Sequence, residues 1–257
     1  MIAKLIKFPL LKRIIPSLSI RFLRLLNKNR GYFKINQFKM FLDFLDPIDR
    51  EIILSQEFEK QEIDFLINQI RYNNINYFID VGANCGYYSL IISNEISNIK
   101  VFAFEPNIEA YSKFSKSLKE NIDLSKKITL ENFGLSNLSA KLKMQSMIKF
   151  GYAQTGGTSI INENENTKNF TFFANFKIAD NFIKLTNEKI SIKIDVEGHE
   201  LNVLEGMKNI IKKNKCILQI EVFKKNYEKL DNFLISMGYK KTYEVKDRSN
   251  YFYSNYN

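Results

Sequence analysis

The feature that most constrains the fold is a regular alternation of short apolar runs with amphipathic stretches along the chain. The apolar runs are NYFIDV, KVFAFE, KITLEN, KISIKID and CILQIEVF, and the stretches between them include YYSLIISNEI, IEAYSKFSKSLKENI and LNVLEGMKNIIKK. Short apolar runs are typical of buried strands, whereas apolar residues three and four positions apart are typical of helices. Strands that alternate with helices predict an α/β fold with a doubly wound, mostly parallel sheet and right-handed crossovers.

Three segments flank or interrupt this alternation. The final two strands, predicted at 240–245 and 251–254, have too short a connection for a helical crossover, so one of them should run antiparallel to the rest. Residues 41–75 have helical spacing and are predicted as a helical lead-in, whereas residues 138–180 are predicted as a strand-rich insert with a Gly-rich turn. We therefore expect one domain over residues 41–257.

The net charge of +10 comes from an N-terminal arm, residues 1–40. The chain has 38 basic and 28 acidic residues, and ten basic residues precede Leu42 in a segment without any acid. The remainder is therefore neutral, which argues against a broad nucleic-acid-binding surface on the domain. The arm mixes its cations with Ile, Leu and Phe. It is either a basic amphipathic anchor that contacts an anionic membrane surface through residues 1–30 or a pair of helices packed on the domain, and a transit peptide has a similar composition.

The cysteines indicate the compartment. Cys85 and Cys216 lie far apart and have neither the spacing of a disulfide framework nor that of a zinc site. This pattern fits a reducing compartment. We expect a cytoplasmic protein, located at the membrane surface if the arm is an anchor.

A glycine turn follows the first strand in FIDVGANCGYYSL. The strand ends at Asp80, and Gly82 and Gly86 form the turn into the next helix. Glycine permits positive φ and lets a ligand approach the backbone. A dinucleotide fingerprint needs glycines at positions one, three and six, but Asn84 and Tyr87 occupy the third and sixth positions counted from Gly82. An NAD-dependent oxidoreductase is therefore poorly supported.

An acid also follows the second strand, where FAFEPN contains Glu105. An acid at this point suits hydrogen bonding to a ribose diol, which NAD and S-adenosylmethionine both carry. Asp80 would repel a pyrophosphate but suits a cationic ligand with an amino group. Because S-adenosylmethionine has both a sulfonium and an ammonium, the two acids together favour it as the cofactor.

A second acidic cluster lies in ISIKIDVEGHELNVLEGM. Asp195, Glu197, His199 and Glu200 follow another predicted strand, and His199 is the one histidine of the chain. Acids in the first turn of a helix interact favourably with its dipole. This structural role explains one or two of them, but not Asp195 at the strand terminus together with an imidazole between carboxylates. We therefore expect a functional site at this strand end.

With these segments in view, the chain resembles the FkbM family of S-adenosylmethionine-dependent methyltransferases, which have the Rossmann-like methyltransferase fold. The matching segments are FIDVGANCGYYSL, FAFEPN, GLSN, IKIDVEGHELNVLEGM and ILQIEVF, in the expected order and spacing. They cover roughly Phe41 to Tyr253, and KIDVEGHE is the most specific of them. The basic arm lies outside the resemblance.

The resemblance implies an enzyme that binds S-adenosylmethionine and methylates a hydroxyl oxygen, often on a sugar, a glycan or a secondary metabolite. The acceptor would face the segment from Asp195 to His199. The residues that would hold the cofactor are Asp80, Gly82, Asn84 and Gly86 for its methionine part, Glu105 for the ribose hydroxyls, and Asn107 and the Gly134 turn near the adenine.

Transfer to a hydroxyl requires loss of its proton, and a base with a pKa near neutrality suits that task. We expect His199 to be this base, oriented by Asp195 or Glu197. The same three residues are also candidate ligands for a divalent metal, Mg²⁺ or Mn²⁺, which would acidify a hydroxyl. Glu221 is predicted to face the same crevice, and the GYAQTGGTSI loop is either a lid over the acceptor or an ordinary hairpin turn.

Two other functions remain as alternatives. A nucleic-acid methyltransferase guided by the basic arm lacks support because the chain has no N/D-P-P-Y/F run and because its body is neutral. A catalytically decayed scaffold that acts as a membrane-surface binding module is disfavoured by the intact glycines, acids and KIDVEGHE segment.

Overall fold

The computed structural model describes residues 29–149 and 151–256 of the 257-residue chain. The predictions for residues 1–28 of the basic arm lie outside the described residues. Within the described ranges, no helix is long and apolar enough to cross a membrane.

The elements follow the alternation predicted from the sequence over most of the chain. The strands are β1 (Arg30–Ile35), β2 (Phe38–Asp43), β3 (Tyr77–Val81), β4 (Lys100–Phe104), β5 (Ile128–Glu131), β6 (Gly134–Leu135), β7 (Ala140–Ser146), β8 (Ile148–Lys149), β9 (Tyr152–Ala153), β10 (Ser159–Ile160), β11 (Phe170–Lys177), β12 (Lys189–Ile194), β13 (Lys215–Glu221), β14 (Lys240–Val245) and β15 (Asn250–Ser254). The helices are α1 (Pro47–Ser55), α2 (Lys60–Tyr72), α3 (Tyr87–Glu95), α4 (Ile108–Lys119), α5 (Ile122–Ser125), α6 (Glu200–Gly206), α7 (Lys208–Lys213) and α8 (Lys224–Ser236).

The main sheet has seven strands in the order β14-β15-β13-β12-β3-β4-β5. Strands β13, β12, β3, β4 and β5 pair in parallel, whereas β15 pairs antiparallel with both β13 and β14. The doubly wound, mostly parallel sheet with one antiparallel strand near the C-terminus is therefore confirmed. The sheet order reverses between β12 and β3, and ligands of such folds bind at this point, outside the carboxyl ends of the strands.

The two faces of the main sheet carry separate apolar cores. Helices α1 to α4 cover one face, where Leu66 and Phe114 share a core with Phe78 of β3. Helices α6 to α8 cover the other face, where Leu204 shares a core with Ile192 of β12. Because both faces of the sheet are buried, its strands consist of nearly continuous apolar residues. A polar residue within these strands is therefore unusual and calls for a structural or functional explanation.

The N-terminal boundary differs from the sequence prediction. Residues 41–75 were expected to be helical throughout, but Phe38–Asp43 form strand β2, which pairs antiparallel with β1. Ile35, Met40 and Leu42 are buried in the same core as the main sheet. The cause is the alternation in FKMFLD, whose inward side chains recur at every second position. The folded unit therefore extends to the β1–β2 hairpin, and a boundary at residue 40 would cut through β2.

The insert between β5 and β12 forms a small sheet of its own, in the order β10-β7-β11-β6. Gly134, predicted in a turn, lies in β6 and pairs in parallel with Phe176 of β11. A Cβ atom at Gly134 would lie 2.3 Å from a ring carbon of Phe176. The glycine is therefore required by the packing of this aromatic ring.

Candidate functional site

A cleft opens at the carboxyl ends of β3, β4 and β12, where the fold predicts a ligand site. It has a volume of about 610 Å³, including the space at its open mouth. Its lining residues come from the turn after β3, the end of β4, the insert and the segment after β12. They are Ile48, Gly82, Asn84, Glu105, Pro106, Leu135, Met144, Thr155, Gly156, Gly157, Thr158, Ile160, Phe176, Asp195, Val196, Glu197 and His199.

A wider groove lies elsewhere, between the β1–β2 hairpin and helices α2 and α3. Its lining contains Phe58, Arg71 and Tyr87 but none of the acids at the strand ends. The chemistry predicted from the sequence therefore belongs to the smaller cleft, despite the greater volume of this groove.

The glycines of the first turn are required by the protein's own packing. Gly82 has φ +82°, and a Cβ atom there would lie 2.0 Å from the backbone carbonyl oxygen of Asp195. Gly86 has φ +84°, and its Cβ would lie 2.2 Å from the ring of Phe114. Both the positive φ and the contacts favour glycine. The predicted reason, close approach of a ligand to this backbone, is not needed to explain either residue.

Asp80 lies at the end of β3, fully buried beneath the turn. Its Oδ2 accepts a hydrogen bond from Ser89 Oγ at 2.6 Å, whereas its buried Oδ1 has no partner among the described residues. Burial raises the pKa of this carboxyl, and Lys193 opposes that rise. An unpaired buried acceptor is costly, so this oxygen fits a ligand that supplies a donor or a cation.

Glu105 lies at the end of β4 and joins two loops of the cleft. Its Oε2 accepts from the backbone N–H of Asn84 at 2.7 Å, and its Oε1 accepts from that of Asn107 at 2.8 Å. Burial raises the pKa of Glu105 to about 7, although both hydrogen bonds favour the ionised form. Because each carboxylate oxygen has two lone pairs, Glu105 retains acceptors for ribose hydroxyls.

The two asparagines have different positions. Asn84 lines the cleft with φ +48°, and its buried side-chain Oδ1 finds no partner in the part of the chain that the structure describes. Asn107 instead caps α4, because its Oδ1 accepts from the backbone N–H of Glu109 at 3.0 Å. Asn107 also donates to Thr158 Oγ1 at 3.4 Å. Neither Asn107 nor Gly134 lines the cleft.

The segment after β12 brings Asp195, Glu197 and His199 to the cleft, as predicted from their position at a strand end. Asp195 or Glu197 was expected to orient the imidazole, but among the described residues neither carboxylate forms a hydrogen bond with it. His199 Nε2 instead lies 2.9 Å from Ser136 Oγ, and its ring contacts Phe176 edge-on at a centroid distance of 6.0 Å. Ser136, in the GLSN segment, therefore orients the histidine.

The pKa values of Glu197 and His199 move in opposite directions. Burial raises the pKa of Glu197 to about 7, helped by the charges of Asp195 and Glu200. Burial lowers the pKa of His199 to about 4, against the smaller effect of Glu205. At neutral pH the imidazole is therefore uncharged, and Glu197 is close to half protonated.

The metal alternative finds no support in the geometry. Among the described residues, no group of three or more His, Cys, Asp or Glu side chains is arranged to hold a metal ion. Asp195, Glu197 and His199 line one cleft, but they do not form such a group. Glu221 ends β13 and does not line the cleft, although burial raises its pKa to about 8.

The sequence reasoning missed Lys193, the buried penultimate residue of β12. Its Nζ donates to Asp195 Oδ2 at 2.8 Å. Burial lowers the pKa of Lys193, but Asp195, Asp80 and Glu59 together hold it above its usual range. A lysine between two isoleucines of a buried strand was the sequence signal that could have identified it.

The loop over the cleft, residues 154–158, is tied down by another buried network. Thr155 donates to Asp46 Oδ2 through its backbone N–H at 2.8 Å and its Oγ1 at 2.9 Å. Lys113 Nζ donates to Thr155 Oγ1 at 2.9 Å and to Asp49 Oδ2 at 2.6 Å. Gly156 and Gly157 line the cleft. The glycine segment therefore covers the site and is anchored to α1 and α4.

Comparisons with known proteins identify relatives of this chain. The family profile described as the Methyltransferase FkbM domain matches residues 80–241. Hexuronic acid methyltransferase AglP of Haloferax volcanii is 29% identical over 164 residues, which are 63% of this chain and 62% of that protein. The chain thus matches about three-fifths of this relative's length.

A solved structure shows the likeness of the fold. The crystal structure of Methyltransferase FkbM from Methylobacillus flagellatus KT superposes with a TM-score of 0.51 at 18% identity, covering 70% of this chain and 43% of that chain. This superposition confirms the predicted Rossmann-like architecture.

Proposed function

Because the chain belongs to the FkbM methyltransferase family, we propose that it transfers a methyl group from S-adenosylmethionine to a hydroxyl oxygen of a sugar or glycan. The observation that carries this proposal is the pair of buried acids, Asp80 and Glu105, at the ends of adjacent strands. One has an unpaired oxygen and the other has spare acceptors beside the glycine turn.

These residues fit the two polar ends of the cofactor. Asp80 Oδ1 suits the ammonium of its methionine part, and Glu105 suits the ribose hydroxyls. Asn84 offers a further unpaired acceptor in the same turn. When bound, S-adenosylmethionine supplies an electrophilic methyl group, whose bonding electron pair stays on the sulfur as a thioether. The protein's task is to hold the acceptor oxygen in line with that methyl group.

The relative named for a hexuronic acid supports a sugar or glycan acceptor. A hexuronic acid carries both hydroxyls and a carboxyl, so methylation on oxygen gives either an ether or an ester. The cleft lining contains Glu105, Asp195 and Glu197, and no lysine or arginine among the described residues. A carboxylate at the reaction centre would meet these acids, and a neighbouring cationic side chain, Lys193, is already paired with Asp195. A neutral hydroxyl avoids that repulsion, so we propose the ether.

A hydroxyl acceptor requires a base, and the pKa values favour Glu197 over His199. A base is most effective when its pKa lies near the working pH, and the pKa of Glu197 is raised to about 7. The pKa of His199, lowered to about 4, makes the imidazole a weak base. We therefore propose that Glu197 accepts the hydroxyl proton. His199, held by Ser136, lies at the cleft as a neutral group that contacts the acceptor.

The first test is calorimetric titration of the full chain with S-adenosylhomocysteine and, separately, with NADH. We expect binding of S-adenosylhomocysteine alone.

Methyl transfer from isotopically labelled S-adenosylmethionine to the methyl glycosides of glucuronic and galacturonic acid then tests the acceptor. An alkali-stable product is the expected ether, and an alkali-labile product is an ester. If the full chain does not bind S-adenosylhomocysteine, the proposal is wrong and the binding-scaffold alternative gains support.

The base is tested with the matched variants Glu197→Gln and His199→Gln. We expect Glu197→Gln to lower turnover by about 10²- to 10⁴-fold, with the affinity for S-adenosylhomocysteine little changed. The expected loss for His199→Gln is less than about tenfold, because only a contact is removed. The reverse order of losses would return the role of base to His199.

A further inference from the structure

Lys193 has an environment that a purely structural lysine does not need. Its side chain is only 6% exposed, and its Nζ lies 4.8 Å from the centre of the Tyr88 ring. An ammonium has three N–H donors. Among the described residues, Asp195 Oδ2 is the one hydrogen-bond acceptor of Nζ. A buried cation with unused donors is costly unless another acceptor completes its hydrogen bonding.

Lys193 and Asp80 meet at the same small pocket under the glycine turn. The pocket has a volume of about 350 Å³, including its opening, and Gly82, Asn84 and Tyr87 also line it. Asp80 pairs with Lys193 across β3 and β12, so both side chains point to the same face of the sheet. Among the described residues, this pocket is therefore lined by Asp80, which has an unpaired carboxylate oxygen, and by Lys193, whose ammonium is incompletely paired.

We propose that Lys193 and Asp80 form a site for the zwitterionic amino-acid group of the cofactor. Lys193 binds the α-carboxylate, and Asp80 Oδ1 binds the α-ammonium. This inference rests on the proposed function. It assigns Lys193, which lies outside the glycine turn, to the binding of the cofactor's carboxylate.

The local charges favour a zwitterion over an anion. Asp80 and Asp195 line the pocket together with Lys193, and Glu59 also acts on Lys193 from outside the lining, so acids outnumber bases around the pocket. A phosphate would add two negative charges near one lysine that already has a carboxylate partner. An amino-acid group carries one positive and one negative charge, so its binding leaves the net charge of the pocket unchanged. The opposing explanation is that Lys193 only neutralises these acids and contacts no ligand.

The experiment tests whether Lys193 binds the cofactor's carboxylate or only neutralises the nearby acids. It removes the carboxylate from the ligand and the Lys193 ammonium from the protein, separately and together. The ligands are S-adenosylhomocysteine and its decarboxylated analogue, in which a 3-aminopropyl chain replaces the amino-acid group. The proteins are the wild type, Lys193→Met and, as a control on the same strand, Lys189→Met, which changes an exposed lysine. The dissociation constants form a double-mutant cycle.

We expect the wild type and Lys189→Met to bind S-adenosylhomocysteine about 10- to 100-fold more tightly than the decarboxylated analogue, as for a hydrogen bond between charged groups. Lys193→Met should bind the two ligands equally, with the wild-type affinity for the decarboxylated analogue. If Lys193→Met weakens the binding of both ligands by the same factor, Lys193 acts only through the fold and the inference is overturned.

A second measurement keeps the inference testable if Lys193→Met does not fold. The wild type alone must then prefer S-adenosylhomocysteine over both the decarboxylated analogue and the carboxyl methyl ester. Equal affinities for the three ligands would overturn the assignment to Lys193 while leaving the proposed methyl transfer intact. A wild type that binds none of the three ligands would instead overturn the proposed function.

Discussion

Glu105 Oε2 accepts a hydrogen bond of 2.7 Å from the backbone N–H of Asn84, which joins the end of β4 to the turn after β3. The other carboxylate oxygen accepts from the backbone N–H of Asn107. One side chain therefore fixes two loops of the cleft while it faces the site. An amide in its place has only one acceptor oxygen, so one of the two backbone donors would lose its partner.

We expect Glu105→Gln to lower the affinity for S-adenosylhomocysteine by tenfold or more, which corresponds to about 1.4 kcal/mol or more of binding free energy. Calorimetric titration at pH 8, where the wild-type carboxyl is largely ionised, measures this change. The control is Glu131→Gln, which alters the acid at the end of the neighbouring strand, outside the cleft lining. Equal affinities in the two variants would show that Glu105 does not contact the cofactor.

Gly82 and Gly31 differ in what an added methyl group would meet. Gly82→Ala brings a Cβ against the carbonyl oxygen of Asp195 at positive φ, whereas a Cβ at Gly31 has no heavy atom within 4 Å. Overpacking and the strained φ together should lower the free energy of unfolding of Gly82→Ala by about 3 kcal/mol or more. Gly31→Ala should stay within about 0.5 kcal/mol of wild type. Urea unfolding compares them, and similar midpoints would disprove the predicted clash.

The positions of the acids at the strand ends could be predicted, because each is specified by a pattern within one short segment of the sequence. A short apolar run that ends in an acid specifies where Asp80 and Glu105 lie, and the parallel sheet brings them to one edge. The β1–β2 hairpin was missed because its alternation is only six residues long in each strand. Over so few residues, helical and strand spacings are hard to tell apart.

Contacts between distant segments could not be predicted from the sequence alone. His199 and Ser136 are 63 residues apart, and Thr155 and Asp46 are 109 residues apart. Nothing in either local pattern indicates the partner, because these contacts exist only in the folded tertiary structure. For this reason the sequence analysis assigned the histidine the role of a base, whereas its burial beside Ser136 and Phe176 lowers its pKa.

Lys113 is the buried cation that holds the covering loop. Lys113→Met should lower the free energy of unfolding by about 3–5 kcal/mol, because Asp49 would keep a buried, unpaired charge. The double variant Lys113→Met with Asp49→Asn should recover part of this loss, since it removes the uncompensated carboxylate. Hydrogen exchange of residues 154–158 should also be faster in Lys113→Met. The control is Lys119→Met at the exposed end of α4, and an equal effect there would contradict the assignment.

The pH dependence of stability follows from the buried carboxyls. Burial raises the pKa of Asp49 to about 6, of Glu105 and Glu197 to about 7, and of Glu221 to about 8. In the unfolded chain these groups titrate near pH ~4. Between those values the folded state binds more protons than the unfolded state, so the free energy of unfolding decreases as the pH rises.

His199 changes the pH dependence of the free energy of unfolding in the opposite direction to the carboxyls. Its folded-state pKa of about 4 lies below its unfolded value, so from pH ~4 to ~6.5 the unfolded state binds the extra proton and stability increases with pH. The histidine therefore offsets part of the decrease below pH ~6.5, and above that value only the carboxyls contribute. Glu197→Gln should flatten the decrease between pH ~5 and ~7, and His199→Gln should steepen it below pH ~6. Urea unfolding at half-unit intervals from pH 5 to 8 measures both slopes. A wild-type stability that rises steadily over this range would show that these carboxyls are ionised in the folded state without penalty.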